Sequence, residues 1–167
     1  AVMELGATVC TPKSPDCPHC PLQEKCIAFE TGRISSLPVK QGKTKTRDRF
    51  FNYLHITSGK GIAMHQRQGK DIWTGLFELP LIESERPLTR RSLESLLDKT
   101  FGKGWSVATG PAKARHVLSH QIIHAQFWKV DPPKKFKLPE DWRMNPKGEV
   151  AELAVPRLID RWMKGEL

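Results

Sequence analysis

The sequence predicts an α+β protein. A mixed sheet with helices is expected over residues 49–167, preceded by a short helical cysteine loop over 1–30 and an extended linker over 31–48. Three observations predict this. After Arg49, apolar residues alternate or run in short blocks bounded by Gly and Pro, which is the strand pattern. Leu88–Phe101 and Pro156–Lys164 instead place apolar residues at helical spacing. All four cysteines lie between Cys10 and Cys26, and none follows.

The 167 residues suffice for one core, or for a small module plus a larger domain. With 38% hydrophobic and 27% charged residues the composition is that of a soluble globular chain. No apolar run approaches the ~18–20 residues of a membrane span. The stretch before Cys10 lacks the basic start of a signal peptide, so a cytoplasmic, membrane-free monomer is expected. The opening AVMELGATVC has no initiator Met and reads as mid-helix, so the chain is expected to be part of something longer.

The net charge of +9 is unevenly placed. Residues 31–50 hold Arg33, Lys40, Lys43, Lys45, Arg47 and Arg49 against Asp48 alone. A basic excess favours a polyanion, most often nucleic acid, through phosphate contacts and counterion release. A solvated basic surface without a partner would carry the same charge.

Taken in order, the first element is a helix running into Cys10. The cysteines follow as C-x6-C-x2-C-x5-C, at Cys10, Cys17, Cys20 and Cys26, with Pro12, Pro15, Pro18 and Pro21 stiffening the loop. Disulfides are disfavoured in a reducing compartment. Tetrahedral zinc suits four thiolates but usually draws them from two close pairs, and here only Cys17 and Cys20 form one. A compact four-cornered cofactor such as a 4Fe–4S cluster fits the spacing better. Spacing alone leaves all three open.

The linker, 31–48, is polar and basic, with Leu37-Pro38-Val39 its one stretch suited to docking. Arg49–Ser58 and Ile62–Gln68 read as a hairpin turning at Gly59-Lys60-Gly61. DIWTGLFELPLIE, from Asp71, reads as a short strand containing Trp73, Leu76, Phe77 and Leu79. The helix through Leu93, Leu96, Leu97 and Phe101 has Thr89 as N-cap and Gly102 as stop. Trp105–Ala108 is a further strand. Ala114–Val130 is strand, loop at Leu118–His120, and strong strand. Asp131–Lys137 is a Pro/Lys loop, Trp142–Pro146 irregular, and Pro156–Lys164 a short helix.

The cysteine spacing, with the lead-in MELGATVC, resembles the iron–sulfur loop of the endonuclease III and adenine glycosylase superfamily, and the adenine DNA glycosylases (the MutY family) in particular. The resemblance implies a 4Fe–4S cluster on Cys10, Cys17, Cys20 and Cys26. It also implies a DNA-backbone contact from the loop Thr11–Asp16, where Lys13 is the one cation. The later strands and helices are similar to the Nudix-like domain that ends these enzymes. Active Nudix hydrolases need a Glu-rich helix to hold Mg²⁺. Here the corresponding TRRSLESLLDKTFG offers only Glu94 and Asp98, beside Arg90 and Arg91, and Leu81-Ile82 stand where Gly-Gly is expected. Leu118-Ser119-His120 occupies the place of a Phe-Ser-His loop that senses 8-oxoguanine. A hydroxyl and an imidazole can reach a base edge, and an apolar residue can wedge into the stack. On residues alone the tripeptide is a plain turn.

Two other patterns compete for attention. Gln121–Trp128 has the spacing of a sliding-clamp peptide, but it alternates like a buried strand. His116, His120 and His124 recur every four residues, and on a strand, loop and strand they would not converge. The function implied is therefore the C-terminal part of an adenine DNA glycosylase that binds duplex DNA containing 8-oxoguanine. The acid and Asp of catalysis are expected in a separate catalytic domain upstream of Cys10, leaving this chain inactive by itself. An active Nudix pyrophosphohydrolase and a zinc-linked nucleic-acid-binding module are the alternatives.

Overall fold

The computed structural model describes residues 2–37, 39, 45–59 and 61–167. Pro38 of the expected docking stretch, Lys40 and Lys43 of the basic linker, and the turn residue Lys60 lie outside the described residues. The chain divides into two compact units, Ala1–Thr44 and Lys45–Leu167.

The first unit begins with α1 (Val2–Thr8), whose C-terminal turn carries Cys10 through Cys10 N–H to Leu5 C=O, 2.8 Å. Two single 3-10 turns, Cys17–His19 and Gln23–Lys25, follow, then α2 (Ile27–Glu30). Prolines every third residue forbid a longer helix here, because each lacks the N–H that helix propagation requires.

The second unit is a seven-stranded mixed sheet. Its strands are β1 (Arg47–Ser58), β2 (Gly61–Gln66), β3 (Phe77–Glu78), β4 (Leu81–Ser84), β5 (Ser106–Val117), β6 (Gln121–Asp131) and β7 (Trp142–Asn145). The order is β3-β2-β1-β6-β5, with β4 also on β1 and β7 on β2. Strands β1 and β6 run parallel and in register from Arg47–Gln121 to Ile56–Val130. The other pairings are antiparallel. The helices are α3 (Arg90–Phe101), α4 (Lys147–Val150) and α5 (Arg157–Met163).

Strand alternation divides β1 between two cores. Phe51 and Tyr53 point with Ile123 and Phe127 toward α5, where Leu158 and Ile159 close the layer. Leu54 and Ile56 point with Trp128 and Val130 toward Leu93 and Leu97 of α3. Away from the hairpin tip both central strands are thus covered on both faces, which is why β6 reads as a near-continuous apolar run. Thr89 caps α3 by accepting from the Ser92 N–H at 3.2 Å, and Gly102, at φ 87°, ends it as expected.

Three expectations need correcting. DIWTGLFELPLIE is not one strand. It is a turn followed by β3 and β4, which pair with different partners on either side of Pro80, a residue that cannot donate to a ladder. Trp73 lies in that turn at φ 59°. Trp142–Asn145 is a strand rather than irregular, because β2 supplies a partner edge from Ile62 to His65. Trp105–Ala108 and Ala114–Val117 belong to a single β5, irregular between Val107 and Ala112. Gly110 and Pro111 sit there: Pro111 has no N–H for the ladder, and Gly110 adopts φ 127°. A side chain at Gly110 would meet Phe127 O at 2.8 Å, so this close approach requires glycine.

Candidate functional site

All four cysteines line one small cavity of about 40 Å³, closed by Val9, Pro15 and Phe29. Cys10 is exposed and the other three are partly so, and all are free thiols. The loop between the first two is shut at its base by Asp16 N–H to Val9 C=O, 2.9 Å, and shaped by Thr11 Oγ1 donating to Ser14 O, 2.6 Å. Lys13 stands exposed on that loop. Partial desolvation, then the thiols of Cys10, Cys26 and Cys20 and the Asp16 carboxylate, push the Cys17 thiol up. Four thiolates so placed repel one another unless a cationic centre holds them. Among the described residues, no three His, Cys, Asp or Glu side chains are grouped to hold a single metal ion.

The tripeptide Leu118-Ser119-His120 joins β5 to β6. Leu118 N–H donates to Gln121 C=O at 2.8 Å, leaving Ser119 and His120 as the exposed tip of a tight hairpin. Leu118 itself packs partly against the Phe51–Phe127 core. The tip is also tied to β1, through Arg47 N–H to His120 C=O at 3.0 Å. His116 and His124 lie on opposite faces of the hairpin: His116 meets Trp73 at 5.6 Å and His124 stacks on Phe50 at 4.9 Å. The three histidines do not converge. Phe127 and Trp128 are fully buried in β6, so Gln121–Trp128 presents no clamp-type peptide.

Sequence reasoning missed the ion cluster beneath this hairpin. Arg49, counted in the basic block 31–50, is only 8% exposed and cannot meet a phosphate. It donates from Nε and Nη2 to both Glu83 oxygens (2.7 and 2.6 Å), to Asp71 (2.8 and 2.9 Å), and from Nη1 to Gln121 Oε1 at 2.9 Å. Arg67 reaches Asp71 at 2.5 Å and Glu78 at 2.7 Å. Tyr53 donates to the other Glu78 oxygen at 3.2 Å, and burial, then Glu78, hold its hydroxyl well above the usual range. Both guanidiniums lie over the Phe51 ring, at 4.7 and 5.4 Å. Hydrogen bonds from Arg49 hold the Asp71 and Glu83 carboxyls below the usual carboxylate range. The available signal was a charge inside an apolar strand: Arg49 before FFNYL, and Glu78 between Phe77 and Leu79.

On α3, where an active pyrophosphohydrolase would hold its metal, Glu94 accepts from Arg90 Nε at 3.0 Å. Arg90 also donates to the Val107 carbonyl. Asp98 is exposed. The helix is thus fastened to β5 by a cation, and its one partly buried acid is spent on that cation.

Comparison with known proteins agrees with this architecture. A family model described as the NUDIX domain matches residues 52–165. The chain is 31% identical over 84 residues, half its length, to an adenine DNA glycosylase of Buchnera aphidicola (subsp. Schizaphis graminum), covering 24% of that protein. It is 56% identical over 41 residues, 23% of its length, to the adenine DNA glycosylase of Mus musculus, covering 8% of it. The chain therefore spans a quarter or less of the length of these relatives. The C-terminal domain of mouse MUTYH, solved in complex with human PCNA, superposes with a TM-score of 0.55 at 16% identity. That likeness covers 72% of this chain and 89% of that one, and it is a likeness of fold. With more than half its residues matched by the family model, and a mixed sheet flanked by α3 and α5 to go with it, the chain belongs to the NUDIX domain family.

Proposed function

We propose that this chain is the lesion-recognition part of an adenine DNA glycosylase of base excision repair, reading 8-oxoguanine opposite adenine in duplex DNA. The observation that carries the reading is the hairpin tip. Ser119 and His120 are exposed together; the Arg47 N–H holds the His120 carbonyl from β1, and Arg49 holds the side chain of the neighbouring Gln121. A hydroxyl and an imidazole fixed in this way can address a base edge without paying to order the loop. Leu118, packed against the core, supports the tip more than it wedges between bases.

The cysteine loop suits a 4Fe–4S cluster, since all four thiols line one cavity and only Cys17 and Cys20 form the close pair that zinc sites usually repeat. When bound, such a cluster supplies the positive charge that holds the thiolates together and fixes the loop bearing Lys13. Base cleavage itself is assigned to carboxylates upstream of Cys10, as in the family the sequence resembles.

The test is a competition between duplexes carrying 8-oxoguanine or guanine opposite adenine, at fixed salt. The wild-type chain is expected to prefer the lesion and to release no adenine. Ser119→Ala with His120→Ala is expected to lower that preference several-fold while duplex binding persists. An unchanged ratio would show the tip to be only a turn. For the loop, anaerobically prepared protein is expected to be brown and to contain iron. Colourless, zinc-loaded protein would contradict the cluster.

A further inference from the structure

We propose that the open sheet face beside the hairpin tip, carrying Lys113 and Arg115, is a second contact for duplex DNA that grips the sugar–phosphate backbone next to the base addressed by Ser119 and His120. The proposal rests on the recognition reading above and adds to it the surface that supplies affinity.

Alternation along β5 puts Lys113, Arg115 and Val117 on one face, opposite Gln126, His124 and Ile122 of β6. At its far end this face is packed by α3, through Leu93 and Leu97 against Trp128 and Val130. Toward the tip it opens, and Val117 is 58% exposed. Between Lys113, Arg115 and Pro87 lies a cavity of about 280 Å³, floored by the stacked rings of Phe50 and His124. A ring floor suits a deoxyribose, and a cationic rim suits a phosphate.

The charge state of the face points the same way. Arg49, Arg67 and Arg90 are all engaged by carboxylates of the fold. Lys113 and Arg115 are exposed, and among the described residues neither has a hydrogen bond or ion pair with another side chain. Asp48 stands on this face, but its carboxylate is taken by His124 at 2.6 Å. Arg115 lies two residues before the end of β5 and Ser119 two beyond it, a separation of at most about 13 Å, or roughly four nucleotides of one DNA strand. Backbone grip and base reading thus fall within one short stretch of duplex.

The test is fluorescence anisotropy with both duplexes over a salt series, comparing wild type, Lys113→Ala with Arg115→Ala, and the control Lys134→Ala with Lys135→Ala. The control lysines are equally exposed but follow β6 at the end of the sheet away from the tip. The double variant at 113 and 115 is expected to bind both duplexes about tenfold more weakly. Its salt slope should be shallower by about two, and its lesion preference unchanged. Unchanged affinity and slope would overturn the proposal, as would an equal loss in the control, which would mean that only overall charge matters. If wild type binds duplex without lesion preference, the recognition reading fails alone, and the salt slopes still decide this surface. A chain that binds no duplex overturns both.

Discussion

Arg49 shows how much one residue can carry that composition hides. Counted in the basic excess of residues 31–50, it would be a phosphate contact; buried, it joins β1, the Asp71 turn, β4 and the base of the hairpin. Removing one partner of a buried ion pair leaves the others uncompensated. Arg49→Met is expected to lose about 3 kcal/mol at neutral pH by urea unfolding, the low end for such pairs because Asp71 and Glu83 keep 32% and 37% of their side-chain surface in water. The pH dependence has a definite sign. Because Arg49 depresses both carboxyl pKa values, their contribution is complete above the ordinary carboxylate range and is lost as pH falls through the depressed values. The stability gap between wild type and Arg49→Met should therefore be constant above about pH 5 and narrow below about pH 4. A gap that does not respond to acid would mean the carboxylates are not held by Arg49.

At the scale of elements, what was legible was what local rules dictate. The cap at Thr89, the Leu93–Leu97 face and the stop at Gly102 define α3 without reference to the rest of the chain. β1 and β6 declare themselves by long apolar runs, and the hairpin tip by a polar break between strands. What was not legible depends on partners distant in sequence. β7 exists because β2 offers an edge, and β3 and β4 are separated by their choice of different neighbours. β5 is continuous only because β6 holds it across Gly110-Pro111. Gly110→Ala is expected to destabilise the second unit by roughly 1–3 kcal/mol, from a side chain forced into φ 127° against the Phe127 carbonyl. Phe127→Ala, which empties a fully buried site stacked on Tyr53 and Trp162, should cost more, about 3–5 kcal/mol. Denaturant midpoints at constant m-value check both, and an unchanged midpoint for Gly110→Ala would mean that the close approach to Phe127 is slack.

For the whole molecule, the two units are stabilised by different means. The second buries two layers of side chains on a shared sheet. The helices of the first bury no residue, and Val2, Met3, Leu22 and Ile27 are more than half exposed. Four ligated thiolates would supply what packing does not. Stripping iron anaerobically is therefore expected to unfold residues of the first unit while the melting of the second is unchanged. A single melt that shifts as one would contradict independent units. The cysteine spacing carried the resemblance to adenine DNA glycosylases, whereas the NUDIX match covers residues 52–165, and the chemistry proposed for recognition lies in that second unit, on a tip whose support only the fold reveals. The most direct measurement is the amide spectrum of the chain titrated with matched duplexes carrying 8-oxoguanine or guanine opposite adenine. The two spectra are expected to differ most at Ser119, His120 and Gln121, while both duplexes shift Lys113 and Arg115 alike. Differences centred on α3, or none at the tip, would contradict the assignment.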